Sequence, residues 1–273
     1  MAKITAADVN TLRKQTGAGM MDCKKALVEA DGDMSKAVDI LRKKGQKVAA
    51  NRADRQASEG VVISATDGNF GALIALNCET DFVAKNEGFI SLAQSFLDAA
   101  MANKPSTIDE LKGCVVNGMT IGEKIIEQTG IIGEKLDLSS YETIESAQVS
   151  AYIHSGNRLA TLVGLSKSVD DNVGKDVAMQ VAAMNPVAVD KDSVSQETID
   201  KELEVAKDLA RQEGKPEEML EKIAMGRLNK FFKENTLLNQ EFIKESKMSV
   251  SQHLNKFDND LTVTEFKRVG LGV

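Results

Sequence analysis

Side chains able to make or break bonds are scarce here: two histidines, three cysteines, two tyrosines and no tryptophan in 273 residues. His154 and His253 are far apart in the chain, with no acidic ligand cluster beside either, so they do not make a metal site. Each reads as a structural or surface group, His154 just ahead of a turn and His253 inside the amphipathic run Val250-Ser251-Gln252-His253-Leu254. Cys23, Cys78 and Cys114 are odd in number, widely spaced and without a Cys-x-x-Cys pair. They suit a reducing compartment as buried or half-buried thiols and argue against zinc. Neither a Gly-x-Ser-x-Gly elbow nor a phosphate-binding Gly-x-x-x-x-Gly-Lys-Ser/Thr loop occurs. Gly17-Ala18-Gly19 precedes a helix, where an anion could sit, but a tight turn between helices is the better reading. We therefore expect no catalytic residue, no metal, no cofactor and no direct nucleotide binding. A chain so poor in reactive groups works by shape and contact, not as an enzyme.

The strongest contact signal is Glu79-Thr80-Asp81-Phe82-Val83-Ala84-Lys85-Asn86-Glu87-Gly88-Phe89. It comes after the strand-like run Ala72–Leu76 and precedes the helix-like run Phe89–Leu97, so it caps a strand-to-helix junction from which a side chain can project. Phe82 has two readings, a core aromatic or a wedge into a partner. Asp81 favours the wedge, because an acid beside a core phenylalanine must still reach water or a partner. We expect Phe82 to be largely exposed at the tip of its subdomain.

Around this junction the elements are set by periodicity. Residues 4–45 read as three short helices: one capped by Thr5 and stopped at Thr16-Gly17, one over Asp22–Ala30, and one capped by Asp33 or Ser35 and ended by Gly45. Residues 46–58 read as a partly helical linker. Residues 60–76 and 149–165 each give strand, turn, strand, with turns at Asp67-Gly68-Asn69 and Ser155-Gly156-Asn157. After each hairpin comes a helix ending in Ala-Ala-Met, at residues 99–101 and 182–184, with Pro105 or Pro186 soon after. We infer two related α+β core subdomains, a duplication. Ser195 or Thr198 starts a charged helix, Gly214 breaks it, and Pro216 restarts it at a first-turn position, giving an antiparallel helical hairpin. Gln240–Ile243 and Leu261–Val269 read as strands.

Hydrophobic content of 42% and charged content of 27% suit a folded domain and argue against global disorder. No apolar stretch is long enough to span a membrane, and Met1-Ala2-Lys3-Ile4-Thr5 lacks a signal-peptide core, so a cytoplasmic protein is expected. The net charge of −7 is uneven. Residues 1–55 carry twelve Lys and Arg against seven Asp and Glu, and the remainder twenty-two against thirty-four. The acidic balance argues against nucleic acid as a partner.

Two segments carry a family likeness. Leu12-Arg13 with Thr16-Gly17-Ala18-Gly19-Met20-Met21-Asp22-Cys23-Lys24-Lys25-Ala26-Leu27, and Thr80 through Phe89, closely resemble the two signatures of bacterial elongation factor Ts. The resemblance covers nearly the whole chain. It implies an α+β fold with a ubiquitin-associated-like three-helix module (1–54), a core N-terminal subdomain (55–140), and a core C-terminal subdomain (141–273) carrying the inserted hairpin (190–234). It implies a guanine-nucleotide exchange factor for the GTPase elongation factor Tu. In that role Arg13, Met20, Met21 and Lys24 would grip the partner's nucleotide-binding domain. Thr80, Asp81, Phe82 and Val83 would intrude beside its magnesium and phosphates, with Phe82 as the wedge and Asp81 displacing groups that order the ion. Ile132 and Gly133 match a further contact segment, and His154 matches the position that pushes at the phosphate-binding loop. The hairpin is left with three roles: a homodimer of complexes, a contact to one partner, or packing on its own core. Some members continue into a C-terminal helical module that touches the partner; this sequence stops at Gly270-Leu271-Gly272-Val273, so that contact is expected to be missing or replaced.

Two other classes stay open at this point. A scaffold could bind the same GTPase without releasing its nucleotide, and the basic N-terminal module could serve an RNA adaptor. Asp81-Phe82 separates the first from an exchange factor, and salt dependence separates the second.

Overall fold

The computed structural model describes residues 4–272, a mixture of helices and antiparallel sheet of α+β type. Packing divides the described residues into two compact units: 4–63, 74–141 and 271–272 form one, Ser64–Leu73 and Glu142–Gly270 the other.

The first unit begins with helices α1 (Ala6–Thr16), α2 (Met20–Glu29) and α3 (Met34–Asn51). Thr5 and Asp8 form a full capping box on α1, and Gly17, at φ 71°, closes it in the left-handed conformation. Val9, Leu12, Cys23, Ala26, Leu27 and Ala37 make a small apolar core among the three. Helix α2 begins two residues before the expected Asp22, at Met20. Asp33, not Ser35, caps α3 by accepting from the Lys36 amide. Gly45 does not end α3, contrary to expectation. The helix runs six residues further, and Gly45 is a buried packing position within it.

Next come strands β1 (Glu59–Thr66) and β2 (Phe70–Cys78), then α4 (Asp81–Ala84), α5 (Glu87–Asn103), α6 (Ile108–Gly113), the two-residue strands β3 (Val115–Val116) and β4 (Met119–Thr120), α7 (Ile121–Ile132) and β5 (Asp137–Glu145). The main sheet has the order β1-β2-β5. Every residue of β2 is buried, so this strand is a rigid base for the turn at its C-terminal end. Helix α7 packs across α3. Its Gly130 lies so close that a Cβ built there would stand 2.3 Å from the Gly45 Cα. Gly45 is thus the point where α7 crosses α3, with Gly130 supplying the missing side chain that the close approach requires, and it marks no stop.

The second unit contains β6 (Gln148–Ile153), β7 (Leu159–Leu165), α8 (Asp171–Met184), α9 (Gln196–Gln212), α10 (Glu217–Asn235), α11 (Val250–Asn255) and β8 (Val263–Gly270). Its sheet is β6-β7-β8, antiparallel throughout, with Gln148 opposite Leu165 and Ile153 opposite Ala160. Val163, Leu165, Val177, Val181, Phe242, Leu254 and Val263 are among the residues that fill the space between sheet and helices. Helices α5 and α8 end alike, on left-handed Lys104 (φ 47°) and Asn185 (φ 44°), each directly before a proline that cannot continue the helix. Ser195 caps α9, Gly214 at φ 74° makes the turn, and Pro216 stands at the cap of α10 instead of inside its first turn.

Gln240–Ile243 is not a strand. It makes one isolated bridge, Glu241 to Ser249, because a buried amide takes its backbone groups. Gln180 Nε2 donates to the Glu241 carbonyl at 3.1 Å, and Gln180 Oε1 accepts from the Ile243 amide at 2.9 Å. Of the cysteines, Cys23 and Cys78 are buried and Cys114 half-buried, all as free thiols. No helix among the described residues is long and apolar enough to cross a membrane.

Candidate functional site

Strand β2 ends at Cys78 and hands the chain to Thr80, whose extended backbone (φ −125°, ψ 152°) occupies the cap position of α4. A capping threonine normally spends its hydroxyl on the helix it precedes. This one does not: Thr80 Oγ1 donates instead to Glu134 Oε1 at 2.7 Å. The other oxygen of Glu134 accepts from the amides of Glu79 (3.1 Å) and Thr80 (3.0 Å). Glu79 answers from its own side: Oε1 accepts from the Lys135 amide at 2.6 Å and from the Arg52 guanidinium at 2.7 Å. The Lys135 amide first, and Arg52 after it, hold the Glu79 carboxyl below the usual carboxylate range. Lys135 Nζ donates to the carbonyls of Ala53 (2.8 Å) and Arg55 (3.0 Å). Burial, aided by the charge of Glu134, pushes the Cys78 thiol up to about 12, so it is an inert structural group that donates to the Thr80 carbonyl.

On this base Phe82 is 83% exposed, as expected. The rest of the short helix is anchored: Ala84 is buried and Val83 half-buried. Asp81 Oδ2 accepts from Lys85 Nζ at 2.6 Å, and that contact holds its carboxyl below the ordinary aspartate range. An apolar ring and an ion-paired carboxylate thus project side by side from a braced turn. Their chemistry is contact chemistry: a surface to insert and an anion to offer.

The other predicted residues fall on helices α1, α2 and α7 and on the turn after β6. Arg13 is exposed on α1, and Met20 (53%), Met21 (64%) and Lys24 are exposed on α2. Met20, Lys24 and Val28 stand at i, i+4, i+8 and so share a face, while Cys23, Ala26 and Leu27 point into the core. Val28, 58% exposed, belongs to this outward stripe and escaped the sequence reading. Ile132 ends α7, and Gly133 (φ 81°) closes it with its amide on the Thr129 carbonyl. They run directly into Glu134, so the structure brings this segment and Thr80–Val83 together at one carboxylate. His154 lies in the second unit, exposed just past β6, its Nδ1 3.0 Å from the Tyr152 hydroxyl. His253 is a packing group, stacked on Phe242 with ring centroids 4.1 Å apart. Among the described residues no group of three or more His, Cys, Asp or Glu is placed to hold a metal ion.

The bracing residues Arg52, Glu134 and Lys135 were missed in the sequence, and Glu79 was noticed only as the start of a motif. A signal was present: Thr120-Ile121-Gly122-Glu123 is a capping box, realised in full at the start of α7. With that start, Gly133 reads as the left-handed cap that ends the helix, which leaves Glu134 in the loop beyond.

Comparison with known proteins agrees with the residue likeness. The family model described as "Elongation factor TS" matches residues 79–273. Relatives named "Elongation factor Ts" include one from Christiangramia forsetii, 55% identical over 276 residues that span the whole of both chains. One from Flavobacterium psychrophilum is 54% identical over 278 residues, again the whole of both. One from Porphyromonas gingivalis is 49% identical over 269 residues, 98% of each chain.

Proposed function

The chain belongs to the elongation factor Ts family, a family of translation elongation, and from that we propose that it is the guanine-nucleotide exchange factor of elongation factor Tu. In this reading it speeds GDP release by disturbing the partner's magnesium and phosphate site and catalyses no covalent step. The observation that carries the proposal is Phe82, 83% exposed beside an ion-paired acid on a turn braced from beneath. A large apolar ring held clear of the core on a braced turn is pre-positioned to insert into a partner surface.

The physics suits the task. Mg²⁺ requires near-ideal octahedral geometry and helps hold nucleotide phosphates. A wedge that shifts its supports weakens GDP, and by linkage GDP weakens the wedge's grip equally. The overall equilibrium between GDP and GTP on the free partner is unchanged. Arg13, Met20, Met21 and Lys24 then serve as the N-terminal grip, Ile132-Gly133 as a second contact, and His154 as a contact from the other unit. We read residues 1–54 as a ubiquitin-associated-like module, 55–140 and 141–273 as duplicated core subdomains, and the hairpin within 190–234 as a further contact element. The proposed setting is the cytoplasm.

The test is release of fluorescent GDP from purified elongation factor Tu. The parent chain is expected to accelerate release many-fold, and Phe82→Ala to lose about tenfold or more of that effect while still binding. Binding without acceleration by the parent would make the chain a scaffold and sink the exchange reading.

A further inference from the structure

Three donors from two consecutive residues converge on the Glu134 carboxylate, directly beneath the exposed motif. A second carboxylate, Glu79, reaches back to the residue after Glu134 and out to Arg52 at the end of α3. Lys135 completes the ring through the carbonyls of Ala53 and Arg55. Two acids so disposed are not needed to hold β2, whose residues are already buried along its whole length. They act on the entry to α4, which is held further on by buried Ala84 and by the Asp81–Lys85 pair. Helix α4 has four residues, too short to keep its own geometry. Its cap hydroxyl is diverted from it, and Phe82 itself makes no burial. The direction in which Phe82 points is therefore set by what grips Thr80 on one side and Ala84 on the other.

We propose that Glu134 is a positioning residue for nucleotide release, and that with Glu79 and Arg52 it joins the end of α3, the Thr80–Val83 motif and the end of α7 into one braced body. The inference rests on the exchange reading above and extends it to residues that touch no nucleotide. Force taken up where the N-terminal helices bind would reach Phe82 through Arg52 and Glu79, without loss in a slack loop. Charge-assisted hydrogen bonds of this kind are short and directional, which is what holding an approach angle requires.

The experiment uses the full chain with 4-fluorophenylalanine introduced at position 82 and elongation factor Tu loaded with fluorescent GDP. In the parent the fluorine resonance is expected to be single and narrow, and in Glu134→Ala broadened or split. Glu134→Ala should lower the maximal release rate about tenfold while the half-saturating concentration changes less than about twofold, the split expected when only the productive geometry is lost. Glu134→Gln, which keeps an acceptor oxygen and the shape, should recover most of the rate. Thr80→Val, which removes only the hydroxyl bond, should lose less than Glu134→Ala and serves if that variant does not fold. In a Phe82→Ala background, Glu134→Ala should cost no further rate. An unchanged fluorine spectrum with full release, or a loss that multiplies independently of Phe82→Ala, overturns the proposal. If Phe82→Ala alone releases GDP at the parent rate, the exchange reading falls instead, and the fluorine spectrum still judges the role of Glu134.

Discussion

Phe82 and Phe89 lie in the same motif and meet opposite fates: the first is 83% exposed, the second 2%. Their substitution should separate function from stability. Phe82→Ala is expected to leave the unfolding free energy within about 0.5 kcal/mol of the parent, as for a surface site. Phe89→Ala should cost about 3–5 kcal/mol, as for a core aromatic. Chemical denaturation reads both, and a large loss at Phe82 would mean the ring packs somewhere unforeseen. Composition gave no way to tell the two apart. The acid beside Phe82 was the only clue, because Asp81 must stay in water, where Lys85 meets it. His253 gives the pH prediction at this scale. Both ring nitrogens are buried without a partner. Phe242 and Phe257 flank the ring, and Asp176, Glu245, Lys244 and Lys256 surround it with opposing charges. Burial dominates and pushes the imidazole below its ordinary 6.5. The unfolded chain then takes up a proton that the folded one resists, so this contribution is full above 6.5 and is lost as pH falls through that value towards the folded one. Between about pH 7.5 and about pH 5.5 the parent's melting temperature should drop more than that of His253→Phe. Equal drops would show that another group governs the window.

Among the elements, the helices with conventional punctuation were legible: Thr5 and Gly17 bound α1, and Asp33 opens α3. Two readings failed where tertiary contact outweighed local rule. Gly45 looked like a stop and is a crossing point, and Gln240–Ile243 looked like a strand until the Gln180 side chain claimed its backbone groups. The crossing is asymmetric. A Cβ on Gly45 would meet its nearest neighbour, the Gly130 Cα, at 3.6 Å, ordinary contact, whereas one on Gly130 would lie 2.3 Å from the Gly45 Cα. Gly45→Ala should therefore be neutral or gain up to about 1 kcal/mol from helix propensity. Gly130→Ala should lose about 1–3 kcal/mol from overpacking. Urea unfolding of the pair decides it, and equal effects would refute this account of α3 against α7.

For the whole molecule, the α+β class, the two hairpins and the helices that follow them could be read from turns, caps and Pro105 and Pro186, whereas the elements between α5 and β6, and α11, were not read. The way segments assort into units could not, since β1, β2 and β5 each change unit partway along. Such division depends on contacts distant in sequence, which no local pattern carries. Charge was legible from the start: the first 55 residues are net basic and the remainder net acidic. Opposite fields in one chain steer a partner only modestly. The proposed association with elongation factor Tu should weaken by only roughly twofold to fivefold between about 50 and about 200 mM salt, where a phosphate-backbone binder would lose about a thousandfold. Surface plasmon resonance across that range checks it, and a steep slope would show that complementary charge dominates the contact.

The crossing of α3 and α7 also restricts how this lineage can change. Most crowded contacts admit a suppressor, because a residue that grows can be answered by a neighbour that shrinks. Opposite Gly130 the neighbour is already glycine, and nothing remains to trim. A selection for suppressors of Gly130→Ala should then return codon reversions, or distant changes that slide a whole helix, and no replacement at position 45.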